Sequence, residues 1–196
     1  MIKIWLLIFV FMPCVINAQN IRDLKDGKVI SDSSYIYALP FEKGQSYLLV
    51  QGYNSRLSHR GEIALDFKMR TGTPICAMRS GKVIETKEDA NARGLKTKYY
   101  SQANYILIQH DDNSYAWYFH LKQHGVLVQV GDQVEEGQVI GLSGNTGYSF
   151  FPHLHVEVVV QESSRWKQIP MRFALRNGPK YLRPGHYYRN GEKAKT

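Results

Sequence analysis

The chain has 196 residues, of which 43% are hydrophobic and 21% charged, and its formal net charge is +8. This length fits one domain that buries its own core, which excludes a small fold held together by disulfides. The charge is uneven: residues 165–196 contain nine Lys or Arg and one acidic residue, while residues 1–164 balance to zero. This basic C-terminal region favours an anionic partner, although solubility alone explains it equally well.

Residues 1–18 have the anatomy of a secretory signal peptide. Lys3 gives a basic start, residues 4–15 form an apolar run, and Ala18 ends a small-residue cleavage site. The run is too short for a permanent membrane span, and an uncleaved anchoring helix is the alternative. We therefore expect an exported protein, periplasmic or secreted to the cell wall, with no permanent span after cleavage. The basic C-terminal region would then meet the anionic cell envelope rather than nucleic acid.

Cleavage at this point leaves Cys76 as the only cysteine of the mature chain, so no intramolecular disulfide can form. Cys76 lies in an apolar run that reads as a strand. A buried, inert thiol is therefore favoured over a nucleophile.

Strand signals dominate the rest of the chain after a polar lead-in over residues 19–34. Segments rich in β-branched and aromatic residues recur at short intervals between Gly, Pro and Asn, at residues 46–51, 63–68, 74–78, 81–86, 105–109, 115–121, 126–130, 138–142 and 153–160. Residues 89–98 are predicted as a solvated loop, and no long segment has the helical period, so helices should be few and short. The sequence predicts a mostly β, compact, antiparallel and barrel-like single domain over residues 35–160. A basic extension, residues 161–196, would pack on it or trail from it.

Histidines and carboxylates in apolar strand contexts are the residues that can carry chemistry. His153 and His155 are two residues apart in a β-branched run, so both side chains lie on one face of a strand, and Glu157 follows on that face. His120 lies among aromatic residues. Asp66 follows Ala-Leu, and a carboxylate there must be paired, hydrogen-bonded or metal-bound.

Two histidines and one aspartate would meet the needs of a hydrolytic zinc site, which keeps three protein ligands and leaves a fourth position for water. Bound zinc lowers the pKa of that water to about 7, and a nearby nitrogen base contributes about 10²- to 10⁴-fold in rate. Four well-placed histidines allow two to bind metal and two to serve as base and oxyanion stabiliser. The residues alone do not divide these tasks.

Several motifs between residues 39 and 160 occur together in one family. They are His59 with Asp66-Phe67, Thr71 to Ala77, Gly81-Lys82-Val83, Asn104 to His110, Tyr118 to Leu121, Val130 to Val134, Gly137 to Gly141, Gly144 to Gly147 and Pro152 to His155. In these motifs the chain resembles the lysostaphin/LytM-type zinc metalloendopeptidases, which cut peptide cross-links in bacterial cell walls. The segment from Val130 to Val139 also resembles the lipoyl/biotinyl carrier hairpin, but its apex lacks the lysine that carries the cofactor.

The resemblance implies a lysostaphin/LytM-like fold and a Zn²⁺ ion held by His59, Asp66 and His155. It implies that His120 and His153 form the catalytic pair. The implied substrate is a cross-link or stem peptide of peptidoglycan, with both D-Ala to diaminopimelate links and glycine bridges open. The alternative is a catalytically inactive cell-wall-binding or amidase-activating module of the same fold, and the five filled positions favour the enzyme.

The chain departs from the family pattern at two places. The commonest spacing is His-x3-Asp, whereas six residues separate His59 from Asp66, and Ile63 cannot serve as a ligand. We expect a longer loop to deliver His59 to the metal; an altered site, or Glu62 as the carboxylate ligand, is the alternative. Phe151 replaces a common glycine and could narrow the groove. Glu157 is either a hydrogen-bond partner of a metal-bound histidine or a solvated surface residue.

Overall fold

Strands are the main regular secondary structure in the computed structural model, which describes Asp23 and residues 35–191. The predicted signal peptide, the rest of the lead-in and residues 192–196 lie outside the described residues. The elements in chain order are β1 (Ile36–Tyr37), β2 (Ser46–Gln51), β3 (Ala64–Lys68), β4 (Pro74–Cys76), β5 (Gly81–Lys87), β6 (Arg93–Gly94), a 3-10 helix (Thr97–Gln102), β7 (Tyr105–Gln109), β8 (Ser114–Phe119), β9 (Leu121–Val126), β10 (Gln133–Val134), β11 (Val139–Ser143), β12 (Gly147–Tyr148), β13 (His153–Glu162), β14 (Arg165–Ile169), β15 (Arg172–Phe173) and β16 (Tyr187–Arg189).

One nine-stranded sheet dominates the fold, with the order β10-β5-β7-β8-β13-β3-β2-β16 and β14 paired to β13. All of its pairings are antiparallel. A second sheet, β4-β11-β9, contributes Ile75 and Ile140 to the shared core. The predicted fold class, mostly antiparallel β with few short helices, is confirmed.

The centre of the large sheet separates an apolar face from a polar one. In β3 and β13, Leu65, Phe67, Leu154 and Val156 are fully buried in the core. The residues between them point the other way, because side chains alternate along a strand. In the antiparallel register, His155 is paired with Asp66 on one side and with Phe119 on the other. The alternation that places these apolar side chains in the core therefore also brings the polar side chains together on the opposite face of the sheet.

The C-terminal residues of the described chain add strands to two of its sheets. β13 is longer than β3, and β14 pairs with the part of β13 that β3 does not reach. β16 pairs with β2, and β15 pairs in parallel with β1. These strands were not predicted, because the short runs that form them are interrupted by basic residues, Gly and Pro.

Two predicted segments outside the site differ from the structure. The predicted strand at residues 126–130 is wrong, since the chain is a strand at Leu121–Val126 and then turns. The turn forms because the Asp132 carboxylate accepts a hydrogen bond from the Gln129 N–H at 2.8 Å. The predicted loop at 89–98 contains β6, which pairs with β12. The side-chain amide of Asn104 makes two hydrogen bonds with the backbone of Ala90.

Cys76 is fully buried in β4. Burial, with a smaller contribution from Glu42, raises the pKa of its thiol to about 11. The thiolate that a nucleophile needs is thus disfavoured. Within the described residues, no helix has the length and apolar character to cross a membrane.

Asp112 lies in the turn between β7 and β8. Protonation of its carboxylate in acid should lower the stability of the fold. Burial alone would raise the pKa of Asp112, but hydrogen bonds from Ser114 and Arg79 outweigh it and lower the pKa to about 2. The Arg79 guanidinium lies 2.6 Å from Asp112 Oδ2. A carboxyl with a depressed pKa stabilises the fold above its ordinary pKa of about 4 and loses that contribution as pH falls toward 2.

We expect Asp112→Asn to unfold at a lower temperature than the wild type at pH 5, and the difference to shrink as pH falls toward 2. Thermal unfolding followed by circular dichroism across this range measures it. Asp89→Asn, at an exposed side chain, is the control. A difference between Asp112→Asn and wild type that stays constant down to pH 2 would contradict the assignment.

Candidate metal centre

Three of the predicted site residues converge from two strands and a loop. Asp66 lies on β3, His155 lies opposite it on β13, and His59 lies on the loop between β2 and β3. One ligand atom of each lies within 4.8 Å of the other two. Among the described residues, these three form the group of possible metal ligands that meets this distance limit. Glu62, the alternative carboxylate ligand, is not part of the group.

The spacing of these atoms suits a tetrahedral ion. His59 Nε2 lies 3.1 Å from Asp66 Oδ2, and His155 Nδ1 lies 2.8 Å from Asp66 Oδ1. Two atoms that bind zinc at tetrahedral angles and bonds of about 2.1 Å lie about 3.3 Å apart. Small adjustments of the three side chains would therefore make them ligands of one ion.

The tautomer of His59 is the clearest sign of a cation. His59 is 1% exposed, and its Nδ1 lies 3.2 Å from the carbonyl oxygen of Gly52, which can only accept a hydrogen bond. Nδ1 therefore carries a proton, and in the neutral ring Nε2 directs its lone pair at Asp66. Nε2 has no hydrogen-bond partner although it is buried. A lone pair facing a carboxylate in the interior is unfavourable unless a positive ion lies between them.

The Asp66 carboxylate is ionised although it is 2% exposed. Burial raises its pKa, but the hydrogen bond to His155 and the close contact with His59 outweigh burial and hold the pKa well below its usual range. Gln51 adds a hydrogen bond from its side-chain N–H to Asp66 Oδ2 at 2.7 Å. For His155, burial lowers the pKa and Asp66 more than reverses this, raising it to about 9. A bound metal would take the place of the proton on His155 Nδ1.

His120 and His153 lie beside this group, with ring centroids 4.6 Å apart. Each Nδ1 faces a backbone carbonyl, His120 that of Thr146 at 2.7 Å and His153 that of Phe151 at 2.8 Å. Each Nε2 is thereby left with a lone pair. Burial, reinforced by neighbouring histidines, lowers the pKa of His120 well below its usual value, and burial also lowers that of His153. Two neutral imidazoles that can accept a proton therefore lie next to the metal-binding group.

The predicted strand over residues 115–121 is interrupted at His120, whose φ is 65°. β8 ends at Phe119 and β9 begins at Leu121, so His120 is a single left-handed residue between two strands. That conformation is uncommon for a residue with a Cβ and often marks functional sites. It turns the ring toward His153 and His155, with the centroids of His120 and His155 5.8 Å apart.

Further side chains pack or hydrogen-bond around the site. Phe151 places its ring 5.2 Å from that of His153, in addition to its carbonyl contact. Glu157 is 3% exposed, so the solvated alternative is wrong, and its hydrogen bond comes from Gln168 rather than from a histidine. Sequence patterns missed Gln51 and Gln168, because a glutamine in a strand carries no signal of a partner far along the chain.

Comparison with known proteins identifies the family of the chain. The sequence model of peptidase family M23 matches residues 58–166. Lysostaphin of Staphylococcus staphylolyticus is 41% identical over 111 residues, which is 56% of this chain and 21% of that protein. The peptidoglycan DD-endopeptidase ShyA of Vibrio cholerae is 40% identical over 96 residues, which is 49% of this chain and 20% of that protein. The chain thus matches about a fifth of the length of these relatives.

A solved structure also resembles the fold. The crystal structure of a zinc-containing peptidase from Vibrio cholerae has a TM-score of 0.50 and 29% identity, covering 68% of this chain and 39% of that one. The family resemblance predicted from the motifs is confirmed. Since the family model spans more than half of the 196 residues, the protein belongs to peptidase family M23.

Proposed function

We propose that this protein is an exported, zinc-dependent endopeptidase that hydrolyses cross-link or stem peptides of peptidoglycan. The observation that carries the proposal is the buried His59 Nε2, which has no hydrogen-bond partner and faces the Asp66 carboxylate at 3.1 Å. The names of the relatives support the substrate class, since ShyA is a peptidoglycan DD-endopeptidase.

The metal ligands in this proposal are His59, Asp66 and His155. Their donor set of two imidazoles and one carboxylate is that of catalytic rather than structural zinc sites. A zinc ion held there would acidify its bound water and polarise the carbonyl of the scissile bond. Asp66, kept ionised by its neighbours, balances part of the charge of the cation.

Proton transfer falls to His120 and His153. Both rings are held by backbone carbonyls and kept neutral by burial, so each offers an Nε2 lone pair. One of these atoms accepts a proton from the attacking water and returns it to the leaving amine. While that proton is on the pair, the ring that carries it donates a hydrogen bond to the developing oxyanion.

Export is supported by the sequence of residues 1–18. In the proposed organisation, a signal peptide (1–18) and a lead-in (19–34) precede a catalytic domain (35–160) and a basic extension (161–196). The inactive binding or activating module has no observation in its favour here, because all five site positions hold residues that can act.

We expect purified protein to solubilise isolated sacculi, and His120→Ala to lose about 10²- to 10⁴-fold of that activity while keeping its zinc. Mass spectrometry of the released muropeptides measures the reaction and reads the cleaved bond directly. If zinc-loaded wild-type protein released no peptide, the inactive binding module would explain the protein better than the enzyme does. Release of the metal by His120→Ala would show that the roles are divided differently.

We expect the wild type to bind one zinc per chain and to melt at a higher temperature with zinc than after chelation. His155→Ala should bind no zinc at micromolar concentrations and should show no such shift, because the remaining pair is incomplete. Metal analysis and thermal unfolding give both readouts. His186→Ala, at an exposed histidine outside the group, should behave as wild type, and a zinc-replete His155→Ala would exclude this ligand set.

We also propose that the basic C-terminal region binds the anionic envelope. Deleting residues 165–196 would remove β14 and β16 from the sheet, so surface charges must be changed instead. Replacing the exposed residues Arg176, Lys180 and Arg189 with Gln should weaken binding to sacculi at low ionic strength and matter little at high ionic strength.

Sedimentation with sacculi measures this binding. The matched control replaces the exposed Lys82, Lys96 and Lys122 with Gln, which removes the same charge outside the C-terminal region. Equal losses in both triple variants would assign the effect to net charge and not to this region.

A further inference from the structure

The position of His59 depends on a long loop, whereas Asp66 and His155 are placed by the sheet. β2 and β3 pair up to Gln51 and Asp66, and residues 52–63 connect them. Holding a loop of this length in one conformation costs entropy. A metal site requires its ligands to be placed within a few tenths of an ångström, so this loop must be held by other contacts.

Gln51 holds the loop beside His59. Its side-chain Nε2 donates to Asp66 Oδ2 and to Ser58 Oγ, each at 2.7 Å, and its Oε1 accepts from the Ser58 N–H at 3.1 Å. One amide thus joins the carboxylate ligand to the residue that precedes the histidine ligand. An amide can do this because it has two donors and an acceptor, whereas a carboxylate has no donor.

Gln168 holds the end of the loop from β14. Its Oε1 accepts a hydrogen bond from the Ile63 N–H at 2.8 Å, while its Nε2 donates to Glu157 on β13. Both side chains are buried, at 8% and 3% exposed. Because β14 pairs with β13 immediately beyond the residue of β13 that faces the start of β3, Gln168 reaches the residue before β3.

The start of the loop is attached to the same C-terminal segment. The buried Tyr53 hydroxyl accepts from the Met171 N–H at 2.6 Å and lies 3.0 Å from the Met171 carbonyl. The loop therefore contacts Gln51 of β2 on one side and residues 168–171 on the other.

We propose that Gln51 and Gln168 are positioning residues that hold the 52–63 loop so that His59 meets Asp66 at metal-binding distance. This inference rests on the proposed zinc site. It assigns part of the metal affinity to β14, a strand that contributes no ligand. Glu157 supports the same arrangement because it accepts a hydrogen bond from Gln168 Nε2. This contact fixes the orientation of the Gln168 amide, so that Gln168 Oε1 faces Ile63.

The test exchanges the buried pair. Gln168→Glu alone places a second carboxylate against Glu157, and we expect it to lower zinc affinity about tenfold or more. In the double variant Glu157→Gln with Gln168→Glu, the hydrogen bond between the two side chains forms again with its donor and acceptor exchanged. The new glutamate can still accept the hydrogen bond from the Ile63 N–H. We expect the double variant to recover most of the affinity. Gln51→Leu should weaken binding without such a rescue.

Competition with a chromophoric chelator measures zinc affinity, and amide hydrogen exchange of residues 52–63 in metal-free protein measures how firmly the loop is held. Val158→Ala, a core substitution in β13, is the control for lost stability. Wild-type affinity in Gln168→Glu, or an equal loss in Val158→Ala, would overturn the proposal.

If wild-type protein bound no zinc, the proposed function would fail by itself. The exchange measurement would then decide the positioning role alone. Faster exchange in Gln168→Glu that is reversed in the double variant supports it, and unchanged exchange refutes it.

Discussion

The Asp66 carboxylate, ionised and 2% exposed, is the constraint on which the site depends. A buried charge is tolerated only when hydrogen bonds and opposite charge replace water. Here two histidines and the Gln51 amide surround it. Each of these partners is delivered by a different element, so the sheet register, the loop after β2 and the end of β2 must all be correct together.

Backbone carbonyls complete the arrangement by fixing which ring nitrogen is protonated. His59, His120 and His153 each direct Nδ1 at a carbonyl oxygen, of Gly52, Thr146 and Phe151 respectively. Each imidazole then offers Nε2 as a base or a ligand. His155 differs, since its Nδ1 faces Asp66. The contact of each Nδ1 therefore fixes which ring nitrogen a histidine presents to the site, Nε2 in His59, His120 and His153 and Nδ1 in His155.

The sequence predicted the parts of this structure that depend on local periodicity. The period of two placed His153 and His155 on one face, and the strands at 46–51 and 105–109 form with the predicted bounds. It did not predict the left-handed turn at His120, because nothing local distinguishes a non-glycine residue that tertiary contacts hold at positive φ. Gln168 was missed for a related reason, since its role depends on a pairing with residues 105 positions earlier in the chain.

The long spacing between His59 and Asp66 links the metal centre to the C-terminal strands. With a short spacing, a ligand pair is held mostly by the strand that carries it. Over residues 52–63 the chain leaves the sheet, and the contacts that return it come from Gln168 and Met171. A change in the packing of β14 would then be felt first at His59, while Asp66 and His155 stay in register on β3 and β13. The longer spacing thus separates the three proposed ligands into two placed by the sheet and one on a loop that Gln51 and the C-terminal segment hold.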